Sequence, residues 1–163
     1  MKIEEMLAEL ESRRAVLHRY VDERMDQLAQ KIKDGKPLSE TPKILPLAST
    51  PHHFKGKKPL AVIFPDGQRV EVKTWKALAA AILRDCIASP LLEKRMLSLR
   101  GKIMGKQRVL LGGSPKGMDA PLEISQDLYM EGKFDTESLL YVLTKRILDP
   151  VGYQYQDIFI QLR

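Results

Sequence analysis

The chain is poor in the residues that carry most site chemistry. Of its 163 residues one is cysteine, three are histidine and one is tryptophan, and aromatic residues make up 6%. A single cysteine, Cys86, excludes an internal disulfide and a multi-cysteine zinc site. The histidines are His18, His52 and His53, so none lies after residue 59 to activate Cys86, whose place one turn after Ile82 suits a small core residue. Adjacent His52 and His53 diverge in an extended chain and cannot easily share one ion, so no metal or cofactor is expected. Long apolar runs are absent too. The run 78–83 falls far short of the ~18–20 residues of a membrane span. Acidic residues interrupt the N-terminus within its first turn, which is unlike a secretory signal. The expectation is a soluble protein of the cytoplasm with no membrane partner.

The bulk composition is ordinary, at 44% apolar and 29% charged. It excludes a wholly disordered chain, a collagen-like repeat and a disulfide scaffold. Lys and Arg outnumber Asp and Glu by 27 to 21, for a net charge of +6. That total hides a division. Residues 1–34 carry −1, 35–59 carry +4, 60–93 are neutral, 94–118 carry +7 without one acid, and 119–163 carry −4.

Residues 1–34 contain neither proline nor glycine, and their apolar residues recur at helical spacing. Two rows repeat every eleven residues, Met6-Leu17-Leu28 and Leu10-Val21-Ile32, which gives a nearly straight, coiled-coil-like seam. A helix of this length spans roughly 50 Å, too long to lie wholly on a small domain. Its stripe therefore wants a second copy, another protein, or a fold-back near Ser12-Arg13-Arg14. A lone amphipathic helix partly packed on its own domain is the plainer reading. Self-association through Leu10, Leu17, Val21, Leu28 and Ile32 is the leading expectation.

Residues 35–59 hold five prolines and read as an extended basic linker. Residues 60–163 read as an α+β domain. Strands are expected at 60–64 and 68–72 around the turn Pro65-Asp66-Gly67. Thr74 caps a helix to about residue 88, and Pro90 starts another to residue 99. Short strands follow at 108–111 and 122–130. Asp135 or Thr136 caps a helix ended by Asp149-Pro150, and a strand at 157–162 closes the chain. The fold class is thus α+β: a long N-terminal helix, a Pro-rich linker, and a small mixed sheet packed on two or three helices.

The +7 stretch consists of Lys94, Arg95, Arg100, Lys102, Lys106, Arg108 and Lys116. Basic residues at such density neutralise phosphates and release counterions. Its glycines allow close backbone approach. It contains no aromatic residue, whereas single-strand readers interleave aromatics for stacking. Backbone contact with a duplex therefore fits better than base reading, with DNA and RNA undecided. The plainer reading pairs these cations with the acidic segment 119–163, or leaves them solvated.

Nucleotide hydrolysis is rejected, because Gly101-Lys-Ile-Met-Gly105-Lys106-Gln107 has three residues between its glycines and lacks Ser or Thr after the lysine. A metal-dependent nuclease would rest on Asp66 with Glu71, or Asp119 with Glu123. Those residues have ordinary structural reasons, and no catalytic residue is assigned.

The stretch from about 67 to 163 resembles a small bacterial α+β module found in mobile-element and restriction-associated proteins, of unassigned activity. The residues that carry this resemblance are Val70-Glu-Val-Lys-Thr-Trp75, Arg100-Gly101, the segment 124–129, and the segment 148–153 with Gly152-Tyr153. The resemblance implies proximity to nucleic acid and no site residue. The functional expectation is a non-enzymatic, self-associating nucleic-acid-binding protein. The alternative is a protein-binding adaptor or inhibitor of a nucleic-acid machine.

Overall fold

A computed structural model describes residues 2–35 and 43–163. Helix α1 (Ile3–Lys33) is unbroken. Glu4 and Glu5 sit in its first turn and Lys31 and Lys33 in its last, matching the helix dipole at both ends. The Lys2 amide donates to the Glu5 carboxylate at 3.0 Å. Gly35, at φ +70°, ends the helix.

Two antiparallel sheets form the body. The larger joins β1 (Ile44–Pro46), β7 (Phe159–Leu162), β2 (Pro59–Ile63) and β3 (Arg69–Glu71) in the order β1-β7-β2-β3. The smaller joins β4 (Leu111–Gly112), β6 (Leu128–Glu131) and β5 (Pro121–Ser125) in the order β4-β6-β5. The expected single mixed sheet is thus two antiparallel ones. The stretch 122–130, read as one strand, is a hairpin that reverses at Gln126-Asp127 without a glycine or proline to mark it.

The stretch read as a linker also differs. Residues 36–42 lie outside the described residues, but from residue 43 the chain is integral to the fold. β1 pairs with β7, Leu47 and Phe54 are buried, and Pro51–Phe54 forms a 3-10 turn. Pro46 is tolerated because β1 is an edge strand, where a missing N–H costs no ladder bond.

Helix α2 (Trp75–Ile87) is the central element, packed against β2, β5, α3 (Pro90–Ser98) and α4 (Thr136–Tyr141). It buries Leu78, Ile82, Leu83 and Cys86. Both expected caps form. The Thr74 hydroxyl accepts from the Ala77 amide at 3.0 Å, and the Asp135 carboxylate from the Ser138 amide at 2.7 Å. After α4 the helix does not stop at Asp149-Pro150. It widens into a π-helical stretch (Val142–Leu148) and runs on through α5 (Asp149–Val151) to Gly152 at φ +84°. The wider turn accommodates Pro150, whose ring would clash with the preceding turn of an α-helix.

Helix α1 lies on the outer face of the larger sheet. The sheet's inner face, with Val62 and Ile160, joins the core around α2. Its outer face presents Ile44 and Phe159 to Leu17, Tyr20, Val21, Arg24 and Met25 across an apolar hollow of about 260 Å³. A Cβ on Gly67 would stand 2.7 Å from Val16 Cγ1, so the hairpin tip and α1 meet closely. The contact is partial. Val16, Leu17, Tyr20, Arg24 and Leu28 are half-buried, and no α1 residue is fully buried. At 100° per residue, this docked face is turned roughly 60° from the apolar stripe. Of the residues expected to drive assembly, Leu17 and Leu28 are partly covered, while Leu10, Val21 and Ile32 remain exposed at 48%, 52% and 60%. Among the described residues, no helix is long and apolar enough to cross a membrane.

Candidate nucleic-acid interface

The fold divides the seven basic residues of 94–118 by type. The three arginines are engaged within the chain. On α3, Arg95 Nη1 donates to the Val151 carbonyl at 3.2 Å, tying α3 to α5. Arg100 donates to the Leu97 carbonyl at 2.9 Å and the Asp127 carbonyl at 3.1 Å, closing the end of α3 onto the β5–β6 turn. Arg108 Nη1 donates to the Lys133 carbonyl at 3.0 Å and lies 3.6 Å from Asp119 and 3.7 Å from Glu131. Its guanidinium stacks over Phe134 at 5.0 Å from the ring centroid. A planar group with five donors in a fixed fork suits several carbonyls and carboxylates at once better than a three-donor ammonium.

The four lysines are different. Lys94, Lys102, Lys106 and Lys116 are exposed and have no hydrogen-bond or ion-pair partner among the described residues. The charge of this segment that no carboxylate offsets is theirs together with that of Arg95 and Arg100, which are exposed and bonded only to carbonyls.

Glu131 explains why Arg108 is held inward. Its side chain is fully buried. Burial alone would raise its pKa. The backbone amides of Asp119, Lys133 and Ala120 outweigh that, at 2.6, 2.9 and 2.8 Å, with Arg108 adding to them, and hold the carboxyl below its ordinary value. This one carboxylate pins the approach to β5 and the exit from β6, and so shapes one wall of the basic surface.

Two concavities flank the 101–117 loop. One, of about 570 Å³, is lined by Lys106, Arg108, Asp119, Phe134, Tyr141 and Arg146. The other, an open groove of about 620 Å³, has Arg100, Lys116 and four glycines along it. The isolated bridge Met104–Val109 holds the loop between them. Arg146, from the π-helical stretch, donates to the Met104 carbonyl at 3.2 Å and adds a cation the charge run did not include. A third basic hollow, of about 600 Å³, collects Lys58, Arg69, Lys73 and Arg163 beside β3, from segments with no common charge run.

The aromatic residues missing from the basic segment are supplied by the fold. Phe134 and Tyr141 line the first cleft, some 30 residues along the chain from its lysines. Tyr141 is 54% exposed. It faces a second, apolar hollow of about 390 Å³ on its other side, with Pro51, His52 and Glu137. Sequence reading missed Phe134, Tyr141 and Arg146 as site residues. One signal was present: Leu139, Leu140, Val142, Leu143 and Ile147 form the buried face, and Tyr141 falls outside that register.

The other sequence candidates have structural roles. The Asp66 carboxylate accepts from the Gln68 amide at 2.9 Å in the hairpin turn, and Glu71 pairs with Arg69 at 3.1 Å. Asp119 pairs with Arg108 and with Lys133. Arg84 donates to the Glu123 carbonyl at 2.8 Å. His52 Nδ1 lies 3.0 Å from Glu137. Burial, with the neighbouring Asp85, pushes the Cys86 thiol up to about 12, which suits an inert core residue. The Tyr153 hydroxyl donates to Asp85 at 2.5 Å; burial and that carboxylate raise its pKa. Among the described residues, no group of three or more His, Cys, Asp or Glu is placed to hold a metal ion.

No family model, curated protein or solved structure matches this chain.

Proposed function

We propose that the chain is a non-enzymatic cytoplasmic protein that binds nucleic acid through the phosphate backbone, and that it self-associates through α1. The observation that carries the first part is the set of exposed, unpartnered lysines, Lys94, Lys102, Lys106 and Lys116, of which Lys106 and Lys116 line two concave basic surfaces. Exposed ammonium groups without internal partners are suited to phosphate contact, which is sequence-independent and salt-sensitive. The second part is supported by the apolar stripe that α1 keeps exposed after docking, including Leu7, Leu10, Val21, Met25 and Ile32.

The test is fluorescence anisotropy of labelled DNA and RNA with the full chain at two salt concentrations. The combined change Lys102→Glu, Lys106→Glu and Lys116→Glu should abolish binding and leave the melting temperature unchanged. Single changes should lower the salt slope by about 0.9 for each lysine that meets a duplex phosphate. Binding that ignores salt and survives the triple change would overturn the proposal.

The exposed stripe also favours a second reading, an adaptor or inhibitor that docks on a nucleic-acid machine. That reading expects no binding to bare nucleic acid.

A further inference from the structure

We infer that the cleft beside Tyr141 takes an unpaired nucleotide of a single strand, its base stacked on the Tyr141 ring and its phosphate held by Lys106 and Arg146. The inference rests on the proposed nucleic-acid function and narrows it to a substrate class.

Three observations carry it. The first is exposure. Tyr141 is 54% exposed on a helix whose neighbouring side chains, Leu140 and Val142, are buried. Its ring is open, whereas Phe134 in the same cleft is covered by the Arg108 guanidinium. Of the two aromatics, Tyr141 is the one with a face to offer.

The second is position. Tyr141 stands between the cationic cleft and the apolar hollow. A strand crossing the ring finds cations on one side and a mainly apolar wall on the other, which suits the two halves of a nucleotide. The Glu137 carboxylate in that wall is engaged by His52 and Lys55. Among the described residues, the one carboxylate lining the cationic cleft is Asp119, already paired with Arg108 and Lys133. Lys106 has no partner, and Arg146 gives only Nη2 to the Met104 carbonyl, leaving guanidinium donors for a phosphate.

The third is size. A cleft of about 570 Å³ is on the scale of a site for one small ligand. It cannot admit a duplex, whose bases are stacked on one another. On a duplex the Tyr141 ring would have no free base face to meet. On a single strand, aromatic stacking contributes without regard to sequence.

The experiment uses the full chain with a labelled thymidine or uridine homopolymer and a duplex of equal length. The single strand should bind more tightly than the duplex. Tyr141→Ala should weaken single-strand binding about 5- to 150-fold, the range of one stacked base, with duplex binding and melting temperature unchanged. Tyr141→Phe should restore it, because the ring and not the hydroxyl does the work. If Tyr141→Ala weakens both substrates equally, or neither, the single-strand site is wrong; the backbone proposal still stands provided the triple lysine change removes salt-dependent binding. If wild type binds neither substrate, both readings fall.

Discussion

Helix α1 and the 94–118 segment invert each other. Each looks, in sequence, like a surface waiting for a partner: an apolar stripe in one, a run of cations in the other. In the basic segment the fold turns Arg95, Arg100 and Arg108 onto its own carbonyls and carboxylates. In α1 it leaves the apolar residues Ile3, Leu7, Leu10 and Ile32 facing out. Cations usually left to solvent are engaged by the chain itself, and groups usually buried lie outside. Residue type alone therefore does not say which side chains a partner can reach. What decides is whether the same chain offers a better-placed counterpart first.

The strongest way to break this comparison is at Arg108. Arg108→Glu removes the bond to the Lys133 carbonyl and the contact with Phe134, and sets a third carboxylate beside Asp119 and Glu131. It should cost about 3–5 kcal/mol in urea denaturation. Lys102→Glu or Lys106→Glu, in the same segment, should stay within ~0.5 kcal/mol. Equal losses would erase the distinction between the inward Arg108 and the outward lysines.

Glu131→Gln tests the same wall from the other side, at about 3 kcal/mol near pH 7. The pH dependence has a definite sign. The folded-state pKa of Glu131 is held below its ordinary 4.5, so the unfolded chain takes up the proton first. Its contribution is complete above that value and is lost as pH falls through the lower folded value. Thermal melts from neutral to acid pH should show wild type converging on the Gln variant below about pH 4.5.

Gly67→Ala probes how firmly α1 is docked. At φ +87° a side chain is strained, and the new Cβ would meet Val16 at 2.7 Å. A loss of about 1–2 kcal/mol is expected, with faster proteolysis of α1. Val16→Ala should relieve the clash and leave only the backbone strain. A Gly67→Ala chain as stable as wild type would place α1 off the sheet.

The smallest effect on stability belongs to the outward stripe. Leu10→Glu with Val21→Glu should change the melting temperature little, since both residues are half exposed. Light scattering across a concentration series should show wild type associating and the variant monomeric. A monomeric wild type would remove self-association from the proposal.

Much of the fold was legible because its signals are local. Thr74 and Asp135 cap helices from within one turn, and Pro65-Asp66-Gly67 closes a hairpin through Gly67 at φ +87°. The parts that were not legible depend on distant residues. β1 is three residues among prolines and exists because β7 offers it a ladder over a hundred residues later. The β5–β6 reversal carries no turn signature and is specified by pairing across it. The candidate site divides in the same way. The lysines were visible as a charge run. The engagement of the arginines was not, since apart from the Leu97 carbonyl their acceptors lie at residues 119, 127, 131, 133 and 151.

The sequence by itself determined the α+β class, the long helix, the Thr74 and Asp135 caps, and the place of the positive charge. Each follows from periodicity, backbone preference or composition, which act over a few residues. Only the tertiary structure decided which cations stay free, which aromatics join them and which face of α1 is covered. Those outcomes depend on a buried carboxylate recruiting an arginine, on one tyrosine falling outside its helix's apolar register, and on a sheet meeting α1 roughly 60° away from its apolar stripe. Such contacts join residues far apart in the chain, so no local pattern encodes them.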